Sequence, residues 1–247
     1  MTEEAQKTVS YGFADVAPDE KTARVGSVFR RVARRYDLMN DILSFGSHRL
    51  WKSMFVDLVD PRAGEEILDV AGGTGDIARR LKRRGAQVMV ADINYAMLQE
   101  GRERLGQGGQ DGLSWVQANA EQLGFTDASF NAYTIAFGIR NVTYIDRALS
   151  EAHRVLKYGG RFFCLEFSRV SWPLLRSLHE RYTLDILPHI GAAVAGDAEA
   201  YRYLGQSLHR FDSPDVLSER LKAAGFDLVT HRLWFGGIVA VHCGWKV

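Results

Sequence analysis

The sequence predicts an α/β protein in which a Rossmann-like, mostly parallel sheet of seven strands is covered by helices on both faces. Three observations carry that expectation. Between residues 65 and 166 short apolar runs alternate with stretches of helical period, the pattern of a parallel sheet buried on both sides. Residues 68–81, "LDVAGGTGDIARRL", read as a strand, a glycine turn and a helix in immediate succession. Two final apolar runs joined at "FGG" suggest an antiparallel hairpin.

Residues 1–60 are expected to form an N-terminal helical lid segment, ahead of a main domain over 61–247. Strands are expected at 67–70, 88–91, 113–116, 132–137 and 161–165, with helices at 76–84, 95–105 and 144–156. The glycine cluster at 106–112 reads as a loop. Residues 171–211, rich in Leu, Ile, Ala and Tyr at helical spacing, read as an inserted helical segment. In "DSPDVLSERLKAAGF" Ser213 is the expected N-cap, Pro214 fits the first turn and Gly225 follows the end. The closing strands are expected at 227–234 and 238–247.

Composition excludes several classes. The 247 residues are 46% hydrophobic, enough for a full core, and 31 basic against 30 acidic residues leave a net charge of +1. That balance gives no broad field for nucleic acid, so any basic function is local. Cys164 and Cys243 are far apart and match no metal or disulfide spacing, as in a reducing compartment. The start, "MTEEAQKTVS", is acidic and polar rather than a signal peptide, and no apolar run approaches the roughly 20 residues of a membrane span.

The glycine loop defines a ligand. Gly72, Gly73 and Gly75, with Thr74 between them, let the backbone turn tightly and approach a bound group. Asp76 at the following helix start opposes a phosphate, and Asp69 on the preceding strand adds a second carboxylate. Two acids suit a positive ligand, such as the ammonium and sulfonium of S-adenosylmethionine. Asp92, seventeen positions after Gly75, stands where a carboxylate accepts both ribose hydroxyls, with helix capping as its bland alternative. Asn119 and the backbone of Ala120, in "QANAEQLGF", are placed to read an adenine edge.

Beyond these markers the chain resembles the UbiE/COQ5 family of C-methyltransferases, over nearly its whole length. "YDLMNDILSFGSHRLW", residues 36–51, is similar to the first family signature, and "RVLKYGGRFFCLEFS", residues 154–168, to the second. "DVAGGTGDIA" and "FGIRNVT" are similar to the family's versions of general methyltransferase motifs. The resemblance implies the class I methyltransferase fold, S-adenosylmethionine as cofactor with no metal, and a lipophilic polyprenyl quinol as substrate. It implies no nucleic-acid partner, and it is compatible with peripheral membrane contact, a quinone-biosynthesis complex and a homodimer. The implied place is the cytoplasm at the inner membrane face, or the mitochondrial matrix. Two departures stand out: Tyr158 replaces a usual Pro, and Ala136 replaces a Ser common beside the methyl donor.

The implied chemistry, methyl transfer to a ring carbon, needs an electron-rich ring, an aligned methyl group and a way for the ring proton to leave. Arg140 and Asn141 in "FGIRN" are expected over the cofactor, with Arg140 holding a quinol oxygen or a water and Asn141 orienting it. The alternative for Arg140 is pairing to a nearby acid. His48 is the titratable candidate and Phe137 is expected beside the donor, while Tyr36 and Met39 belong to a segment expected to cover it. Two rival functions remain from the sequence: a nucleic-acid methyltransferase, and a non-catalytic subunit that keeps the fold.

Overall fold

Five apolar runs become five adjacent parallel strands, the inner four largely buried and the fifth, at the sheet edge, only partly so. The computed structural model describes residues 8–104, 112–168, 170 and 173–247. The strands are β3 (Glu66–Val70), β4 (Gln87–Asp92), β5 (Leu113–Gln117), β6 (Phe130–Ala136) and β7 (Leu156–Phe167). The hairpin β8 (Asp227–Trp234) and β9 (Val239–Trp245) completes a seven-stranded sheet in the order β5-β4-β3-β6-β7-β9-β8. β9 runs antiparallel to both neighbours. The order reverses between β3 and β6, so the loops after these two strands open the crevice where α/β sheets bind ligands.

Helices α4 (Asp76–Arg83), α5 (Tyr95–Arg104), α6 (Ile145–Val155) and α10 (Pro214–Ala223) make the crossovers. Ser213 caps α10 as its sequence foretells, accepting from the Val216 N–H with Pro214 in the first turn. Residues of β3 alternate between two cores. Ile67 joins Phe55, Leu81 and Leu204 on one side, while Leu68 and Val70 join Leu149, Val155 and Leu217 on the other. The same parity turns Asp69 toward the side of Ile67.

Before the sheet come α1 (Pro18–Val32), α2 (Tyr36–Ser44) and α3 (His48–Val59). They are preceded by a small hairpin, β1 (Val9–Tyr11) and β2 (Ala14–Val16), that the reading of 1–60 as helical did not foresee. Three-residue strands are too short to show alternation. Tyr11 stacks on Tyr203 at 4.3 Å between ring centres, so the hairpin rests on the helices after β7. Those are α7 (Pro173–Arg181), α8 (Leu187–Ala195) and α9 (Ala198–Arg210), with a π-helical turn at Tyr182–Ile186. Strand β7 begins at Leu156, earlier than expected, with an irregular register between Phe130 and Ala132 on its partner. Tyr158 there is exposed and far from the crevice side. Of the loop expected at 106–112, all but Gly112 lies outside the described residues.

Candidate active site

The loop after β3 turns because Gly73 and Gly75 adopt positive φ, +54° and +79°. A Cβ at Gly73 would stand 3.1 Å from Met97 Cε, and one at Gly75 would overlap the Trp115 ring at 2.5 Å. Asp92 fixes the loop from the next strand. Its Oδ2 accepts the Gly73 N–H at 2.9 Å and its Oδ1 accepts the Asn94 N–H at 2.8 Å. Asn94 Oδ1 in turn accepts the Ala96 N–H, so the start of α5 is served by Asn94 rather than by Asp92. Burial pushes the Asp92 carboxyl up to about 6.

Two cavities flank this loop and share Ala71 and Phe137 as walls. The first, about 100 Å³, is bounded by Gly73, Asp92, Asn119, Ala120, Phe137 and Asn141. Asn119 Oδ1 accepts the Glu121 N–H at 3.0 Å, which leaves its amide NH₂ to donate into the cavity. α1 closes the top through Thr22, Val25, Gly26 and Phe29. It is fastened by Lys21 Nζ to the Val142 carbonyl at 2.8 Å, Thr22 to the Thr143 hydroxyl at 2.9 Å, and Asn94 Nδ2 to the Gly26 carbonyl at 3.0 Å.

The second cavity, about 20 Å³, is bounded by Lys52, Asp69, Gly72, Thr74, Asp76 and Phe137. Ala136 also borders it, with no hydroxyl to offer. Asp69 is 1% exposed; Thr134 donates to its Oδ1 at 2.8 Å, and its Oδ2 has no partner. Burial pushes this carboxyl up to about 7. Asp76 behaves otherwise. Burial alone would raise it, but Lys52 at 2.9 Å and Arg80 at 3.0 Å hold it well below the usual carboxylate range. The expectation that Asp76 supplies free negative charge is therefore corrected: its charge is spent on Lys52 and Arg80, and Asp69 alone has an uncommitted oxygen.

Arg140 turns away from a solitary role. Its Nη1 donates to Glu166 Oε1 at 2.5 Å and to the Phe137 carbonyl at 2.8 Å, and its guanidinium lies over the Phe167 ring. This is the acid-paired alternative. Asn141 does not orient Arg140; its Oδ1 accepts the Tyr203 hydroxyl at 2.9 Å. Arg140 and Tyr203 instead border a larger polar cavity of about 480 Å³ behind the loop, together with Lys21, Tyr144, Arg147 and Arg210. That cavity touches no residue of the glycine loop.

His48 lines none of these three cavities. It is 3% exposed, its Nε2 lies 2.9 Å from Asp41 Oδ1, and its Nδ1 has no partner. Burial, reinforced by Lys52, lowers its pKa and keeps the ring neutral near pH 7. Met39 is buried in the core and borders neither cavity at the glycine loop, and the side chain of Tyr36 lies outside those described. Gly75 acts behind the loop, as the N-cap of α4. Sequence reasoning missed Lys52 and Glu166. The second left a trace, a carboxylate inside the apolar run "FFCLEF"; the first left none.

Comparison with known proteins agrees with this geometry. The pattern of the ubiE/COQ5 methyltransferase family matches residues 17–246. The ubiquinone/menaquinone biosynthesis C-methyltransferase UbiE of Zymomonas mobilis is 56% identical over 239 residues, 97% of this chain and 99% of that protein. Among solved structures, a SAM-dependent methyltransferase of Thermotoga maritima superposes with a TM-score of 0.67 at 20% identity, covering 90% of this chain and all of that one. Phosphoethanolamine N-methyltransferase 2 of Haemonchus contortus, in complex with S-adenosyl-L-methionine, superposes at 0.57 and 17% identity over 75% of this chain and 49% of that one. These structural likenesses establish the class I methyltransferase fold, on which unrelated chemistries are also built. The extent of the sequence match goes further: with the family's pattern running from the start of α1 to the end of the sheet, the chain belongs to the ubiE/COQ5 methyltransferase family.

Proposed function

We propose that the chain transfers a methyl group from S-adenosylmethionine to a ring carbon of a polyprenyl quinol, namely a demethylmenaquinol, a 2-methoxy-6-polyprenyl-1,4-benzoquinol, or both. The observation that carries the cofactor is the small cavity, where the unpartnered Asp69 Oδ2 and the buried Lys52 ammonium face one space. One carboxylate and one ammonium complement the zwitterionic end of an amino acid. Across Phe137, Asp92, Asn119 and Ala120 line one cavity, which supports assigning Asp92 to the ribose hydroxyls and Asn119 with the Ala120 backbone to an adenine edge. The acceptor is supported by the 56% identical relative, whose name assigns it to ubiquinone and menaquinone biosynthesis.

When bound, S-adenosylmethionine supplies an electrophilic methyl group. The chain's part is to align the ring carbon with it, an effect worth up to roughly 7–11 kcal/mol in well-oriented reactions. The guanidinium of Arg140 has no base function at neutral pH and serves instead to hold negative charge on a ring oxygen. Asn141, fixed by Tyr203, sits in the wall of the cofactor cavity next to it. His48, neutral and held by Asp41, offers an acceptor nitrogen toward a hydroxyl proton.

Access to a lipophilic substrate is assigned to the outer face of α2 and α7–α8. Leu38, Phe45, Leu178, Ile186 and Val194 are exposed there, and Phe45 touches the Tyr182 ring at 4.6 Å. Arg34, Arg35 and Arg181 flank them in sequence, so this surface suits peripheral contact with anionic lipid. Among the described residues no helix is long and apolar enough to cross a membrane.

The test uses purified protein, methyl-labelled S-adenosylmethionine and both short-tail acceptors in reduced form. Ring-carbon methylation of either, lost with Asp92→Ala and with Arg140→Ala, is expected. Cofactor binding without methylation of either quinol would refute the catalytic assignment.

A further inference from the structure

Polar atoms buried without a partner are rare because each costs on the order of 1–3 kcal/mol. Here five belong to side chains along one seam: Asn40 Nδ2, His48 Nδ1, Trp51 Nε1, Arg140 Nε and Ser168 Oγ. All five residues are at most 9% exposed.

Hydrogen bonds, chain neighbours and ring contacts link these residues. His48 and Trp51 lie one turn apart on α3, and the His48 N–H donates to Ser44 Oγ, whose hydroxyl donates to the Asn40 carbonyl. The Trp51 ring meets Phe137 at 6.3 Å and Phe167 at 5.9 Å, and Arg140 lies over that same Phe167. Ser168 follows Phe167 and is held by its N–H to the Ile238 carbonyl at 2.9 Å. Phe137 is also the wall shared by the two cavities at the glycine loop, and Lys52, next to Trp51, borders the smaller one.

The chemistry of the five atoms is lopsided. Asn40, Trp51 and Arg140 present N–H donors, Ser168 donates or accepts, and the neutral His48 presents one acceptor nitrogen. Of these groups, the Trp51 ring packs against Phe137 and Phe167, and the Arg140 guanidinium lies over Phe167. A flat ring bearing several oxygens satisfies such a set; a hydrocarbon does not, and a cation is repelled by the donors.

We propose that Asn40, Trp51 and Ser168, together with Arg140 and His48, form the seat of the acceptor ring, the donors binding its oxygens and His48 Nδ1 accepting from a ring hydroxyl. This rests on the quinol reading above and deepens it by assigning the residues that recognise the oxygens. It also explains why the unpaired atoms persist: replacing them by apolar groups removes a cost from the free protein and a contact from the complex. Trp51, Phe137 and Phe167 of the seam belong to the packed core of the free protein.

The deciding experiment measures binding of oxidised short-tail 2-methoxy-1,4-benzoquinone and 1,4-naphthoquinone, to which no methyl is transferred, by quenching of protein fluorescence. It compares the wild type with Ser168→Ala and Asn40→Leu, with thermal midpoint and S-adenosylmethionine affinity recorded for each. Each variant is expected to weaken quinone binding, and raise the acceptor KM, about three- to tenfold, with cofactor affinity unchanged and the midpoint unchanged or higher. Quinone affinity within twofold of the wild type in both variants overturns the assignment. So does weaker binding accompanied by a midpoint lowered by more than about 4 °C, which marks a packing role. If the wild type binds the ring but methylates neither quinol, the catalytic reading fails while the seat is judged by the variants alone.

Discussion

Arg140 and Glu166 form an ion pair of 2.5 Å between two side chains that are 4% and 1% exposed. The pair ties the loop after β6 to the end of β7, and Glu166 also accepts from the N–H of Phe167 and, at 3.4 Å, of Arg140. Burial pushes the Glu166 carboxyl up while Arg140 beside it draws it back, so the contact is held by geometry as much as by charge. Glu166→Gln leaves a buried guanidinium without its counter-ion and is expected to lower unfolding free energy by about 3 kcal/mol in urea denaturation. Replacing both partners by Met is expected to recover most of that loss while abolishing methyl transfer.

Asp69 is expected to make cofactor binding depend on pH. Its folded pKa of about 7 lies above the unfolded value, so between about pH 4 and 7 the folded chain holds a proton that the unfolded chain releases. Its contribution to stability therefore falls as pH rises through that window. An incoming ammonium favours the ionised form, so affinity for S-adenosylmethionine is expected to improve from pH 5 to 7, by up to about tenfold per unit, and to level off above. Asp69→Asn flattens the profile in calorimetric titration, apart from a smaller dependence left by Asp92.

Lys52 is expected to serve one end of the cofactor and not the other. Lys52→Met is expected to weaken S-adenosylmethionine binding roughly tenfold to a hundredfold, the range of a charge-assisted hydrogen bond. 5′-Methylthioadenosine, which lacks the amino-acid end, is expected to bind wild type and variant alike. Equal losses for both ligands would place Lys52 in the support of the loop, through Asp76, rather than in contact with the cofactor.

α1 covers a cavity of about 100 Å³, smaller than the roughly 300–1,000 Å³ of pockets for ligands of this size. A cofactor of this size is therefore expected to displace the helix as it binds. With Lys21→Met and Thr22→Val the two ties to Val142 and Thr143 are gone, and the stopped-flow association rate is expected to rise several-fold.

How much of this could be read from the chain depended on whether a residue's role was local. The glycine turn and the cap at Ser213 were legible because backbone turns and caps are written in neighbouring residues. Asp69 falls on its strand as expected, but its unpartnered oxygen and the pairing of Asp76 with Lys52 depend on side-chain placement that the sequence does not state. Arg140 looked like a free group because Glu166 lies 26 residues away on another strand. Met39 and His48 sit in a signature whose spacing conveys a helix pair but not which face each side chain takes. The hairpin at residues 9–16 is too brief for any periodic signal.

That hairpin has a bearing on how the lid is tuned. It ends just before α1, and it is moored to α9 by the Tyr11–Tyr203 stack and by Arg210, which holds the Phe13 carbonyl and Asp15. The family's pattern begins at residue 17, beyond it. A change in the hairpin is therefore expected to reach α1, the helix over the cavity, without altering any residue that lines it.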